Sequence, residues 1–214
     1  MANCMGNPND LFARLRNALW KPDPGPLLRL DGEVEGRPWR MAVGAPSRHY
    51  IKGEELRARC ELDTDEDVAV VIMTRSLKRT LEASAYERYI DTHQTLTDSK
   101  LPEELRWLAT YQEAYWPSIA RPFWERYAVY ADQPAHAQEW LDASLAQKLM
   151  AWPAAGPGPE APFLMMLLRG KCYLRMEFKP RTQRVFDHAV DLFTIGCERA
   201  IARWPVLEGA SHPV

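Results

Sequence analysis

The sequence predicts an α+β protein with a mainly antiparallel sheet and helices packed on it. Phe163–Leu168 is an unbroken apolar run, typical of a strand buried on both faces. Lys171–Lys179 alternates apolar and polar residues, as a strand with one wet face does, and Arg169-Gly170 suits a two-residue hairpin between them. Residues 182–204 carry an apolar stripe at helical spacing, so we expect this helix to fold back over the hairpin.

The earlier part of the chain predicts further strands and then one helix. Four stretches have apolar runs or alternation typical of strands: Leu27–Leu30, Trp39–Val43, Glu54–Leu62 and Val68–Met73. The first two are joined through Asp31–Gly36, which is polar and contains two glycines. A helix over 75–90 follows the fourth strand.

The later part of the chain predicts two more strands and a capped helix before the hairpin. Leu105–Tyr111 fits either a strand or a helix, and its shortness and the preceding proline favour a strand. Tyr127–Ala131 is a short strand. Asp132 caps one helix whose apolar stripe runs from Trp140 to Leu149.

These elements predict how the chain divides into domains. Residues 1–26 form an N-terminal helix and a linker, 27–204 a single α+β domain, and 205–214 a flexible tail. The strands-then-helix order occurs twice, over 27–92 and 104–204, which suggests a pseudo-repeat of two halves.

Composition limits the classes of partner and the compartment. The formal net charge of −2 on 214 residues gives no basic bias toward nucleic acid, and no apolar run approaches the ~20 residues of a membrane span. Cys60, Cys172 and Cys197 lie in apolar registers without metal or redox spacing, so we interpret them as buried free thiols. Free thiols indicate a reducing compartment, and the natural inference is the cytoplasm.

The loop between the second and third strands is the first candidate site. It contains Arg48, His49, Tyr50 and Lys52, and with Arg40 these residues could hold an anion or phosphate by charge-assisted hydrogen bonds. No glycine-rich cradle at a helix N-terminus accompanies them, which disfavours a nucleotide. The alternative is an exposed loop that Tyr50 and Ile51 anchor to the sheet.

A second candidate is the outer face of the first sheet strands. Arg40, Arg57 and Arg59 are expected to share that face, as an anion-binding or nucleic-acid surface would require. Glutamates lie among them in the sequence, so cross-strand ion pairs explain the same pattern, and we favour the ion pairs.

The aromatic middle of the chain is the third candidate. Trp116 and Trp124 lie in a stretch interrupted by Pro117 and Pro122, and aromatic residues are enriched at interfaces and ligand grooves. They could form an interface, for example of a homodimer, or belong to the core.

No stretch predicts a metal or a cofactor. His188 with Asp187 and Asp191 offers too few ligands, and a solvated helix face is the expected explanation. No serine or cysteine stands in a nucleophile-elbow context. The leading hypothesis is therefore a soluble, non-catalytic binding or interaction module with an unknown protein or small-molecule partner. The alternative is an enzyme or anion-binding protein that uses residues 47–54.

The second half of the chain resembles a group of uncharacterised bacterial proteins. The resemblance is carried by Val129-Tyr130-Ala131-Asp132-Gln133 and then by Ala137, Trp140, Leu141 and Leu145. Those proteins have a valine–tyrosine strand, an aspartate-capped helix and then a strand pair. The resemblance implies a bacterial source and no particular activity.

Overall fold

The protein is built on one eight-stranded antiparallel sheet, which confirms the predicted α+β class. The computed structural model describes residues 28–92, 103–154 and 156–205. The strands are β1 Leu28–Val34, β2 Arg37–Gly44, β3 Glu55–Glu61, β4 Ala69–Thr74, β5 Gln112–Glu113, β6 Tyr127–Ala131, β7 Phe163–Leu168 and β8 Lys171–Glu177. Their order across the sheet is β1-β2-β3-β8-β7-β4-β6-β5, and each neighbouring pair is antiparallel.

Helices lie on both faces of the sheet. The described helices are α1 Arg75–Thr92, α2 Glu103–Thr110, α3 Arg121–Arg126, α4 Pro134–Trp140, α5 Ala143–Met150 and α6 Gln183–Arg203. One face packs against α3, α4, α5 and α6, and the other packs against α1 and α2. No helix in the described residues is long and apolar enough to cross a membrane.

The two continuous apolar runs are interior strands of the sheet and are buried on both faces, as predicted. β4 and β7 pair with each other, and every residue of both strands is buried. Helices cover both faces of the sheet at these strands, so the side chains on either face are shielded from water. Each fully buried Leu, Met or Val side chain there contributes about 1.5–3 kcal/mol relative to an exposed one.

Two tight hairpins fix the strand registers. Arg169 and Gly170 have φ of 53° and 66°, as a two-residue turn with two positive φ values requires, which confirms the predicted β7–β8 hairpin. Glu35 and Gly36 make the same turn between β1 and β2, with φ of 46° and 76°. The first strand therefore runs to Val34, and the loop predicted from Asp31 is wrong. Charged residues there alternate on the wet face of a regular strand.

The long C-terminal helix packs as its sequence predicts. The Oγ1 atom of Thr182 accepts a hydrogen bond from the Val185 N–H at 3.3 Å and caps α6. The predicted stripe is mostly buried, including Phe186, Phe193 and Cys197. The solvated position expected for His188 is wrong: it is 9% exposed, and its Nε2 lies 3.0 Å from the Lys148 carbonyl oxygen.

Two predictions of secondary structure in the middle of the chain are wrong. The stretch expected as a strand over 105–111 belongs to helix α2, which begins with two glutamates, as the positive end of a helix dipole favours. Its buried residues are Glu104, Leu105 and Trp107. The single helix expected after Asp132 is two helices, α4 and α5. Asp142 caps the second by accepting the Leu145 N–H at 2.9 Å, while Asp132 accepts the Ala69 N–H at 3.0 Å.

Strands from the two predicted halves interleave in the sheet. β8 and β7, from the later half, lie between β3 and β4 of the earlier half. The pseudo-repeat and the domain limits stay predictions. The N-terminal helix and linker over 1–26 lie outside the described residues, as does the tail apart from residue 205.

Candidate functional site

One face of the sheet has an apolar half and a charged half. Under α1 and α2, this face carries buried residues of β4, β6 and β7, such as Val71, Tyr130 and Met166. On β1, β2, β3 and β8 the same face carries charged residues instead. Four arginines stand out on the three inner strands of this half; we call Arg40, Arg57, Arg59 and Arg175 the arginine face.

The strand register places these arginines in two like-charged pairs. Arg40 of β2 is directly opposite Arg59 of β3. Arg57 of β3 is directly opposite Arg175 of β8. Because like charges directly opposite each other destabilise a sheet, this arrangement costs stability that an uncharged residue would not.

The ladder geometry brings the second pair especially close. The Leu62 N–H donates to the Gly170 carbonyl at 2.8 Å, and the Phe178 N–H donates to the Glu54 carbonyl at 2.8 Å. These bonds mark the hydrogen-bonded positions at the two ends of the β3–β8 ladder, and such positions alternate along it. The Arg57–Arg175 pair therefore falls at a non-hydrogen-bonded position, where Cα atoms are about 4.5 Å apart and side chains are closest.

Three of the four arginines have carboxylate partners. Arg40 Nε lies 2.9 Å from Asp31 Oδ1, and Arg59 pairs with Glu61. Arg175 Nε lies 2.8 Å from Glu55 Oε1, an ion pair without straight hydrogen-bond geometry. Arg57 forms no ion pair and donates no side-chain hydrogen bond among the described residues. Its charge is therefore the one on this face that has no carboxylate partner in the described part of the chain.

A cavity of about 720 Å³ lies over the arginine face. All four arginines line it, together with Tyr173 and Met166. The Arg59 guanidinium carbon lies 5.8 Å from the centre of the Tyr173 ring, a cation–π distance. Asp31 and Glu61, the partners of Arg40 and Arg59, line it too. The cavity therefore combines four arginines and two carboxylates with an aromatic and an apolar wall.

A smaller cavity of about 130 Å³ shares three of these residues, Met166, Tyr173 and Arg175. Its other lining residues come from α2, from the end of β7 and the turn after it, and from the loop after β2: Glu103, Glu104, Trp107, Leu168, Arg169 and Arg48. The shared residues make the two cavities neighbours, with Tyr173 at their boundary.

Glu104 holds the region between the cavities in place. Its carboxylate is 1% exposed, and Oε1 accepts hydrogen bonds from Arg48, from the Tyr50 hydroxyl at 3.1 Å and from Arg175 at 3.5 Å. Burial raises the pKa of Glu104, but the hydrogen bonds, that from Arg48 foremost, lower it by more, so its pKa lies below the usual range. Burial, and next the Glu104 charge, raise the pKa of Tyr50, which keeps its hydroxyl as a donor.

The loop proposed from the sequence as a ligand site is placed differently from the arginine face. Tyr50 and Ile51 are buried and anchor the loop, and Arg48 is engaged by Glu104. His49 and Lys52 are exposed and line neither of the two cavities. Arg40 lines the larger cavity and Arg48 the smaller one, so the structure does not bring the five predicted residues together.

The arginines predicted on the sheet do share a face, with one member that the sequence did not assign. Arg40 pairs across the strands with Asp31, as the favoured alternative expected, whereas Arg59 pairs with Glu61 of its own strand. Among the described residues Arg57 has no such partner. Arg175 was missed because its place opposite Arg57 depends on β8 pairing with β3, a contact between strands more than 100 residues apart. The alternation along β8 put Arg175 on a wet face but could not identify the neighbouring strand.

Of the two alternatives left open for Trp116 and Trp124, an interface or the core, the structure places both residues in the core. They are 7% and 6% exposed, with ring centres 4.9 Å apart. The Trp124 Nε1–H donates to the Ile119 carbonyl at 3.1 Å, so the polar atom is satisfied inside the protein. The exposed aromatic of this region is Tyr115, 68% exposed, whose ring lies 5.0 Å from that of Trp124.

The cysteines that the structure describes are free and buried, as interpreted from the sequence: Cys60, Cys172 and Cys197. Within residues 28–92, 103–154 and 156–205, no group of three or more His, Cys, Asp or Glu side chains is arranged to hold a metal ion.

Comparison with known proteins adds one structural similarity. No protein-family model matches the chain, and no curated protein matches it. Among solved structures, the crystal structure of the mycobacterial trehalose monomycolate transport factor A, TtfA, is similar over 89% of this chain and 83% of that one. The TM-score is 0.49 and the sequence identity 11%, and at these values the similarity does not bear on function.

Proposed function

We propose that this protein is a non-catalytic binding module that holds a small anionic ligand on the arginine face. The observation that carries the proposal is the pairing of Arg57 with Arg175 at a close cross-strand position, where Arg175 alone has carboxylate partners within the described part of the chain. An anion bound between the two guanidinium groups would turn a repulsive pair into a binding site.

The two arginines contribute to such a site in different ways. Arg175 is held by two buried carboxylates, Glu55 at 0% and Glu104 at 1% exposure, so its guanidinium group is oriented before a ligand arrives. Preorganised groups lose less conformational entropy on binding. Arg57 supplies the uncompensated charge, and a planar guanidinium group can donate two parallel hydrogen bonds to a phosphate or a carboxylate.

The size of the cavity favours a small molecule over a polymer. About 720 Å³ lies within the range of ~300–1,000 Å³ found for small-molecule sites. A formal net charge of −2 gives the protein no long-range attraction for nucleic acid.

Titration calorimetry with inorganic phosphate and with pyrophosphate, in phosphate-free buffer at low ionic strength, tests the proposal. We expect the wild type to bind at least one of the two, and Arg57→Gln to bind it about tenfold or more weakly, because a charged hydrogen bond is lost. Arg121→Gln is the control, because Arg121 is 87% exposed and pairs with Glu125. Absence of binding by the wild type, or equal binding by Arg57→Gln, would refute the proposal.

We place this binding function in the bacterial cytoplasm, as expected from the sequence. The described cysteines, free and buried, support a reducing compartment. Cell fractionation of the producing bacterium tests this, and recovery from the periplasm would contradict it. The homodimer suggested by the aromatic middle has lost its support, because Trp116 and Trp124 are buried. Light scattering at high protein concentration decides the oligomeric state.

A further inference from the structure

We infer that the anionic ligand is a monosaccharide phosphate, with its phosphate on the arginine face and its hydroxylated ring in the small cavity beside Trp107. This inference rests on the proposed function and names its ligand class. It starts from the two cavities that meet at Tyr173 and share Arg175.

The small cavity has the size of one ring. Its volume of about 130 Å³ is close to that of the ~150 Å³ engineered cavity that accommodates benzene. It cannot hold two fused rings or a long acyl chain. The ligand therefore extends from the arginine face by a single ring or a group of similar bulk.

The charges in the small cavity select the chemistry of that ring. Arg48 and Arg175 both donate hydrogen bonds to Glu104. Arg169 and Glu103 are the charged lining residues that remain to bind a ligand. Neither Arg169 nor Glu103 forms an ion pair within the described part of the chain. Arg169 can only donate hydrogen bonds and an ionised Glu103 can only accept them.

Hydroxyl groups satisfy both side chains at once. A hydroxyl both donates and accepts, so a ring with several hydroxyls can bind Arg169 and Glu103 together. An unsubstituted aromatic ring would leave both charges unpaired. A second anionic group would be repelled by Glu103. Trp107 and Tyr173 add aromatic walls, and the C–H groups of a sugar ring can pack on them.

The phosphate position follows from the shared residue. Arg175 lines both cavities, and Arg57 lies opposite it in the larger one. A phosphate held by these two arginines lies next to the boundary at Tyr173. The ring of the same molecule then reaches Trp107 without an intervening chain.

Calorimetry with four probes tests the inference: glucose 6-phosphate, phenyl phosphate, inorganic phosphate and glucose. We expect glucose 6-phosphate to bind at least tenfold more tightly than phenyl phosphate or inorganic phosphate, because its hydroxyls can hydrogen-bond to Arg169 and Glu103 and the other two ligands have no group in their place. Glucose alone should bind at least tenfold more weakly than glucose 6-phosphate, because it lacks the group that the arginine face holds.

Variants separate this inference from the proposed function. Glu103→Ala should remove the preference for glucose 6-phosphate over phenyl phosphate. Glu125→Ala, at an exposed glutamate of α3, is the control and should leave all affinities within twofold. If inorganic phosphate binds through Arg57 but glucose 6-phosphate and phenyl phosphate bind equally, the inference fails and the proposed function stands. If no anion binds, both fail.

Discussion

Arg57 and Arg175 face each other across the β3–β8 ladder on the same face of the sheet, and of the two only Arg175 has carboxylate partners among the described residues. This like-charged pair stores an unfavourable interaction in the free protein. Because this site costs stability, removing one of the two charges should raise the free energy of unfolding and at the same time weaken ligand binding.

Arg57→Gln should raise the free energy of unfolding by about 0.5 kcal/mol, the size of a cross-strand charge interaction. The gain should shrink in 1 M NaCl, because salt screens repulsion at the surface. Urea denaturation measures both. Arg29→Gln is the matched control, since Arg29 lies in the same row of the sheet but pairs with Asp31 and faces Ala42 across the strands. A loss of stability in Arg57→Gln larger than in the control would contradict the idea of a repulsive pair.

Glu104 should make stability depend on pH in the acidic range. Its pKa in the folded protein is lowered, against a usual value of about 4.3 in an unfolded chain. Its contribution is therefore fully present above pH ~5 and is lost as the pH falls through the folded pKa. Glu104→Gln should cost about 3 kcal/mol at pH 7, because Arg48 and Arg175 lose their shared partner.

Urea unfolding from pH 3 to pH 7 checks this prediction. The difference in the free energy of unfolding between the wild type and Glu104→Gln should become smaller below pH 4. Glu103→Gln, one residue away on α2 and outside any ion pair of the described residues, should show neither the loss at neutral pH nor the narrowing. A pH-independent difference would mean that Glu104 acts through packing and not through its charge.

The buried position of Trp124 predicts a large effect on stability. Trp124→Ala should cost about 3–5 kcal/mol, because it removes a core aromatic residue in contact with Trp116 and Phe123. Tyr115→Ala, at the exposed ring beside it, should stay within about 0.5 kcal/mol of the wild type. Thermal or chemical denaturation separates the two. A small loss of stability in Trp124→Ala would indicate that the Trp124 side chain is exposed.

Local patterns predicted most of the secondary structure but not the site. The runs in β4 and β7 and the alternation in β8 identify strands because periodicity depends only on nearby residues. Stretch 105–111 was assigned wrongly because a short apolar segment fits both periods. The Arg57–Arg175 pair could not be predicted, because it needs the pairing of β3 with β8, and no local signal specifies which strands become neighbours.

The residues of the two hairpin turns, Glu35-Gly36 and Arg169-Gly170, also show how far local sequence can predict structure. Both turns have two positive φ values, yet neither has the asparagine or aspartate that usually marks them. The second was recognised because strongly patterned strands flank it. The first was not, because the wet residues of β1 resemble a loop.

These two glycines provide a matched test of the hairpins. Gly36 and Gly170 have similar positive φ, so replacement by alanine should cost about 1 kcal/mol at each from backbone strain. At Gly36 a Cβ atom would meet nothing within 4 Å, whereas at Gly170 it would lie 2.9 Å from the Thr64 carbonyl oxygen. Gly170→Ala should therefore cost at least 1 kcal/mol more than Gly36→Ala in urea denaturation, since the crowding atom belongs to the backbone and cannot rotate away. Equal losses would show that the β7–β8 turn can shift away from the loop before β4.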